Sequence, residues 1–171
     1  MSHNAVVGVV DGGTVHSIYV QHGRLLDLAP VLLKHYRRES KVLDLIHEGD
    51  AVQIRDEIGR AHGVCDGSNR RKRCKNWSHF YMRDRGEILP ASPFERGNMA
   101  DFRKRLYDGE LFLFQNGKWW TTNQDPDLSI ETLAKAPLVP LLQALRTVRA
   151  QDRRQRAGAR TYVTKGRHAR R

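Results

Sequence analysis

The chain opens on an unbroken apolar run. Ala5-Val6-Val7-Gly8-Val9-Val10 has no polar position and reads as a β-strand. Asp11-Gly12-Gly13 supplies a tight turn, because glycine accepts a positive φ without steric cost. From Val15 to Gln21 the pattern alternates. Val15, Ser17, Tyr19 and Gln21 fall on one face, and His16, Ile18 and Val20 on the other. These features predict an opening β-hairpin.

From Leu25 the period changes. Leu25, Leu28, Leu32 and Tyr36 recur at steps of three and four, with Ala29 and Leu33 beside them. That is the spacing of an amphipathic helix, with Asp27 as its cap and Pro30 in its first turn. A second helix starts at Ser40, turns Val42, Leu43, Leu45 and Ile46 inward, and stops at Gly49. Ala51–Ile58 reads as a further short turn of helix, and Gly59–Asn76 as a loop. Trp77–Arg83 reads as an aromatic-rich strand closed by Arg85-Gly86, and Pro90 and Pro93 mark a connection. Met99–Tyr107 forms a helix with Phe102 and Leu106 on one face. Asn116-Gly117 between Leu-Phe-Leu-Phe and Trp-Trp-Thr-Thr predicts a type I′ hairpin. Ser129 begins a closing helix, bent near Pro137 and Pro140.

The sum is an α+β domain over residues 1–150. A small antiparallel sheet is expected, built from two hairpins and a central strand, with helices packed on one face. Beyond Gln151 the apolar residues fade. Residues 151–171 read as a basic tail, a frayed helix giving way to disorder.

Composition fits one domain. The chain has 171 residues, 39% of them hydrophobic and 29% charged. No apolar stretch reaches the length of a membrane span, and the N-terminus carries no basic region followed by a long apolar one. Cys65 and Cys74 are too few for a disulfide scaffold, so a reducing, cytoplasmic setting and no membrane partner are expected.

Charge changes the picture more. Thirty Lys and Arg against nineteen Asp and Glu give +11, and the excess is concentrated. Between Arg146 and Arg171 lie ten basic residues and one acid, Asp152. Within that segment Arg153, Arg154, Arg156, Arg160, Lys165, Arg167, Arg170 and Arg171 form the tail. A second knot is Arg70, Arg71, Lys72, Arg73 and Lys75, set among Gly, Ser and Asn. Basic clusters displace the counterions of a phosphate chain, an attraction that ignores base sequence. A solubilising tail has the same composition.

Other candidate chemistry is sparser. His62, Cys65, Cys74 and His79 offer a weak four-ligand set for zinc, lacking any Cys-x2-Cys pair. Zinc is therefore a minor expectation, and no other cofactor is expected. Arg83-Asp84-Arg85-Gly86-Glu87 alternates in sign and suits an ion-pair cluster or an anion site. His16, His22 and His35 form a third candidate set, with His22 at the end of the first hairpin and His35 in the following helix, where they could converge. A lone histidine on a strand or helix is more often structural. Phe80, Tyr81, Phe112, Phe114, Trp119 and Trp120 could form a stacking surface for single strands, but alternation sends half of them to the core. Nucleotide-binding glycine motifs, a Gly-x-Ser-x-Gly elbow and a His-Glu-x-x-His helix are all absent from the sequence.

Several of these segments together carry a resemblance. They are Ser17-Ile18-Tyr19-Val20-Gln21-His22, Leu32-Leu33-Lys34-His35-Tyr36, Lys41-Val42-Leu43-Asp44-Leu45-Ile46-His47-Glu48-Gly49-Asp50 and Tyr81-Met82-Arg83-Asp84-Arg85-Gly86-Glu87. The chain resembles a family of small uncharacterised bacteriophage and prophage proteins. That family has an Ile-Tyr-x-His strand, a Leu-Leu-x-x-Tyr helix and an Arg-Asp-Arg-Gly-Glu motif. Leu111–Trp120 is similar to the family's closing aromatic strand and Gly-Lys turn. At Gly23–Leu28 this chain reads Gly-Arg-Leu-Leu-Asp-Leu, where the family has Asp-Gly-Tyr-Pro-Glu-Gly. The resemblance spans residues 5–122 and marks Tyr19, His22, Tyr36, Arg83, Asp84, Arg85, Gly86 and Glu87 as shared positions. It implies a phage or prophage origin and no particular reaction.

The expected function is that of a phage-type accessory protein that binds nucleic acid non-specifically through the basic tail and loop. The alternative is a protein-binding modulator of a host or anti-phage defence enzyme. Third stands an enzyme of unknown reaction using His22, Asp84 and Glu87.

Overall fold

The apolar run at the N-terminus becomes the middle of the sheet. In the computed structural model residues 3–61, 75–107, 109–122 and 129–168 are described, with side chains along the last helix described as far as Arg156. Strand β1 (Ala5–Asp11) pairs antiparallel with β2 (Thr14–Val20). Gly12 and Gly13 between them take φ of 54° and 84°. Two successive positive φ values make a type I′ turn, as expected from Asp-Gly-Gly.

Helices α1 (Leu25–His35) and α2 (Glu39–His47) follow, then the short strand β3 (Ala51–Gln53). Next come β4 (His79–Phe80), α3 (Tyr81–Asp84), β5 (Glu95–Gly97) and α4 (Met99–Lys104), the last continued by a 3₁₀ turn over Arg105–Tyr107. The hairpin β6 (Glu110–Gln115) and β7 (Lys118–Thr121) turns at Asn116 and Gly117, with φ of 52° and 72°. Helix α5 (Ile130–Lys135), strand β8 (Val139–Pro140) and helix α6 (Leu141–His168) complete the chain.

The α+β class holds, but the sheet is neither small nor purely antiparallel. Its eight strands run β4-β3-β2-β1-β6-β7-β8, with β5 paired to the flank of β2. Two pairings are parallel. β1 lies beside β6, from Ala5↔Glu110 to Val9↔Phe114, and β2 meets β3 at Val20↔Ala51. Parallel neighbours need a long crossover, which α1 and α2 supply between β2 and β3.

Helices cover both faces of the sheet, not one. Val7, Val9, Ile18, Val20, Phe112 and Phe114 pack with α1, α2 and α6. Val6, Val15, Leu111 and Leu113 pack with Phe102 of α4, with Met99 and Leu106 alongside. The cause is in the residues. β1 is apolar at successive positions and β6 reads Leu-Phe-Leu-Phe, the composition of strands buried on both sides. Gly8 makes room for the second layer, since a Cβ there would lie 2.7 Å from Cε2 of Phe102.

Local expectations divide in the same way. Gly49 stops α2 with φ +81°, and the Ser129 side chain caps α5 by accepting from Thr132 N–H. Ala51–Ile58 is not helical, because its start is drawn into the sheet as β3. Trp77–Arg83 is a strand only at His79–Phe80, and Tyr81–Asp84 turns helical. Asp27 and Ser40 are not N-caps. Those positions fall to Arg24 and Arg38, and Pro30 lies inside α1. No single bent helix spans Pro137 and Pro140. Pro140 is in the edge strand β8, and α6 starts afresh at Leu141. That helix then runs unbroken across residues 150 and 151 to His168.

Candidate functional site

The parallel pair β2/β3 ends at a cleft. In open sheets with parallel strands, ligand sites form outside the carboxyl ends of the strands, where the chain leaves the sheet. Here β2 runs into Gln21 and His22, and β3 into Ile54, Arg55 and Asp56. Gln21 N–H donates to Ala51 C=O and His22 N–H to Val52 C=O, both at 3.0 Å, so the two ends are tied together. His22, Gln53, Arg55 and Asp56 line a cavity of about 300 Å³, closed by Asp27, Leu28 and Val31 of α1 and by Lys75 and Asn76.

The segment that carries Arg55 and Asp56 is irregular but firmly held. The Tyr36 hydroxyl donates to Arg55 C=O at 2.8 Å, and Arg55 N–H donates to Ser78 Oγ at 2.9 Å. Ser78 Oγ also donates to Glu57 C=O at 2.9 Å, and Lys41 Nζ to Asp56 C=O at 3.3 Å. Tyr36 and Ser78 are both fully buried. Burial pushes the Tyr36 phenol up to about 12, so it remains a hydrogen-bond donor across the physiological range. The guanidinium of Arg55 is held flat, donating through Nε and Nη2 to Gln53 Oε1 and through Nη1 to Lys75 C=O.

His35 approaches Asp56, a lining residue of the cleft, with its Nε2 3.4 Å from Asp56 Oδ1. His22 lines the same cleft without a hydrogen bond or ion pair to either among the described residues. His16 stands apart. It stacks on Phe94 with ring centroids 4.8 Å apart, and His47 stacks on the same ring at 5.1 Å. Burial, then Arg96, lowers the His16 pKa. Sequence spacing pointed to His22 and Lys75 but not to Asp27, Gln53, Arg55, Asp56 or Asn76. The available signal was the cluster of polar residues just after β3.

The Arg-Asp-Arg-Gly-Glu motif divides into two halves. The Arg83 side chain is 8% exposed and ties four pieces of chain together. Its guanidinium donates to Asp84, to Glu48 Oε2 at 3.1 Å, to Ile58 C=O at 3.2 Å and to Ser78 C=O at 3.1 Å. It also lies over the Phe80 ring, 4.4 Å from the centroid. Asp84 Oδ2 accepts from Phe80 N–H at 2.9 Å. This half is scaffold, and both Asp84 oxygens are committed to it. Arg85 and Glu87 are exposed and 3.9 Å apart, and Gly86 turns the chain with φ 72°. Neither Asp84 nor Glu87 lines the cleft that His22 lines, so the structure gives no support to a three-residue catalytic set. Tyr19 contributes through its backbone, donating to Asp50 Oδ1 at 2.8 Å.

Helix α6 is the second feature. Leu141, Ala144 and Leu145 are buried against the core, with Val148 beside them. Arg146, Arg149, Arg153, Arg154 and Arg156 are exposed. Positions 146, 149, 153 and 156 alternate steps of three and four, and Arg160 and Arg167 continue the spacing in sequence. On a helix that spacing keeps arginines within a stripe about 80° wide. Asp152, the segment's acid, pairs with Arg156 at 3.1 Å. The backbone at Arg160, Lys165 and Arg167 is helical. Arg70, Arg71, Lys72, Arg73, Arg170 and Arg171 lie outside the described residues, as do His62, Cys65 and Cys74 of the zinc expectation. His79 sits in β4. Among the described residues no group of three or more His, Cys, Asp or Glu is placed to hold a metal ion.

The aromatic residues serve the core first. Phe80, Phe112, Phe114 and Trp119 are buried, while Tyr81 and Trp120 are half-buried. Among the described residues no helix is long and apolar enough to cross a membrane.

One half-buried acid lies away from both features. Glu110, at the start of β6, accepts from the N–H of Leu25 at the opening of α1. It supplies the cap that Arg24 cannot, because the Arg24 side chain makes no capping bond. Glu110 Oε2 is buried without a hydrogen-bond partner among the described residues. Burial pushes this carboxyl up to about 7, against the opposing pull of the Leu25 N–H and Arg24.

No family model, curated protein or solved structure matches the chain.

Proposed function

We propose that the protein binds nucleic acid without reading its sequence, through the arginine stripe of α6. The basic segment Arg70–Lys75 serves as a second contact. In this reading it is an accessory protein of the phage type that its motifs resemble. The observation that carries the reading is the division of α6 into two faces. Leu141, Ala144 and Leu145 anchor one face to the core, while Arg146, Arg149 and Arg153 stand exposed on another. Twenty residues, from Arg149 to His168, extend this charged helix by about 30 Å. A helical run of arginines of that length can neutralise several successive phosphates at once. Each contact releases condensed counterions, so affinity comes without base recognition.

The test is fluorescence anisotropy of nuclease-treated full-length protein on labelled duplex, across a range of salt. Binding is expected to weaken steeply as salt rises. In the triple variant Arg149→Gln, Arg153→Gln, Arg156→Gln the log–log salt slope should fall by about 3, near one unit per lost phosphate contact. Circular dichroism checks that the helix content is kept. Absence of binding at low salt, or an unchanged slope in the folded variant, overturns the reading.

A further inference from the structure

We propose that the cleft at the carboxyl ends of β2 and β3 is a binding site for one nucleoside monophosphate unit. The inference does not rest on the charge of α6. It rests on the opposed chemistry of the cleft walls and on the fixed backbone between them.

The cavity of about 300 Å³ is at the small end of ligand sites, the right scale for a single nucleotide. Cation-capable groups come from Lys75, Arg55 and His22. Arg55 is positioned in advance by Gln53 and by the Lys75 carbonyl, and these bonds use three of its five N–H donors. The side chains of His22 and Lys75 make no hydrogen bond or ion pair among the described residues. Together these groups suit a phosphate, which accepts on several oxygens.

A bare anion does not satisfy the site. Asp27 and Asp56 line the same cavity and would face it with like charge. Carboxylates call for donors on the ligand, which ribose hydroxyls and the exocyclic amine or ring N–H of a base provide. The Asn76 amide both donates and accepts, as a base edge does. Leu28, Val31 and Ile54 add an apolar lining against which a planar ring can rest. The Arg55–Asp56 backbone is fixed by Tyr36, Ser78 and Lys41, so little ordering remains to be done on binding.

The unit could arrive as a free mononucleotide or as the 5′-phosphorylated end of a strand. The experiment separates these sources. Isotope-labelled full-length protein is titrated at about 0.5 M salt, where the Debye length is only a few ångströms and the α6 arginines are screened. The probes are AMP, GMP, CMP and UMP, a short single strand with a 5′-phosphate, the same strand without it, and inorganic phosphate. Saturable amide shifts are expected at His22, Gln53 and Asn76 with at least one mononucleotide or with the 5′-phosphorylated strand. Inorganic phosphate should bind more weakly. Lys75→Gln and His22→Gln, both exposed substitutions, should each weaken binding about tenfold. The Arg149→Gln, Arg153→Gln, Arg156→Gln variant should bind the mononucleotide unchanged, which keeps failure of this proposal distinct from failure of the α6 reading. The absence of saturable shifts up to about 10 mM of every probe overturns the proposal. Shifts that map away from the cleft, or that survive both Lys75→Gln and His22→Gln, overturn it too.

Discussion

The indole nitrogen of Trp119 donates to the backbone carbonyl of Tyr36 at 2.7 Å, joining β7 to the end of α1. Tyr36 is the C-cap of α1, where carbonyls have lost their helical donors. Both residues are buried, so water cannot replace the bond. The hydroxyl of the same Tyr36 reaches Arg55 C=O, which places the Trp119 contact one residue away from the wall of the cleft.

Trp119→Phe keeps most of the packing and removes the donor. The variant should lose about 1–3 kcal/mol of stability, the cost of leaving a buried carbonyl unpaired. Urea denaturation followed by circular dichroism measures this. A loss within error of zero would mean that the Tyr36 carbonyl finds another partner.

The two arginines of one short motif should behave differently. Arg83→Met removes the cation that pairs with Asp84 and Glu48 and releases the Ile58 and Ser78 carbonyls. Removing one partner from a buried ion pair costs about 3–5 kcal/mol. Arg85→Ala, at an exposed position 3.9 Å from Glu87, should change stability by about 0.5 kcal/mol or less. Parallel melts of the two variants decide it, and equal effects would contradict the division of the motif.

Glu110 gives the fold a pH dependence of definite sign. Its carboxyl is raised from 4.5 to about 7 by burial. Below 4.5 the group is protonated in both the folded and the unfolded chain. Between 4.5 and 7 the unfolded chain releases the proton while the folded chain keeps it, so stability falls as pH rises through that window. Above 7 the loss is complete, on the order of 3 kcal/mol. Glu110→Gln keeps an acceptor for Leu25 N–H without the titration. It should melt higher than the parent at pH 8 and show a flatter profile from pH 5 to 8, read by differential scanning calorimetry.

Gly8→Ala tests the second face of the sheet. The added methyl would meet the Phe102 ring at 2.7 Å, and the ring must shift. Overpacking of this kind costs about 1–3 kcal/mol. The pair Gly8→Ala with Phe102→Leu should recover part of that loss, whereas additive losses would show that the two positions do not touch.

Much of this architecture is local and therefore visible in the sequence. Asp-Gly-Gly and Asn-Gly fix two hairpins because the turn chemistry is contained in two residues. The parallel pairing of β1 with β6 is different. It joins Ala5 to Glu110, and no local pattern records such a partner. Burial on both sides was nonetheless written in Ala5–Val10 and Leu111–Phe114, whose lack of alternation is itself a signal. The basic excess of residues 146 to 171 was legible in the composition, and the stripe emerges once that segment is helical. The cleft was not, because its groups come from four separate pieces of chain: His22, the start of α1, the end of β3 and Lys75-Asn76. Two buried polar side chains, Tyr36 and Ser78, place the most important of those pieces.

The strand order also determines how this sheet meets other chains. Among the described residues its outer strands, His79–Phe80, Glu95–Gly97 and Val139–Pro140, are two or three residues long, and the last contains a proline with no N–H to offer. A neighbouring chain seeking to add a strand therefore finds almost no ladder to extend. A broad sheet rich in valine and phenylalanine would otherwise be a template for aggregation. Here the apolar length is kept in β1, β2 and β6, each paired on both sides, and the margins are too short to propagate it.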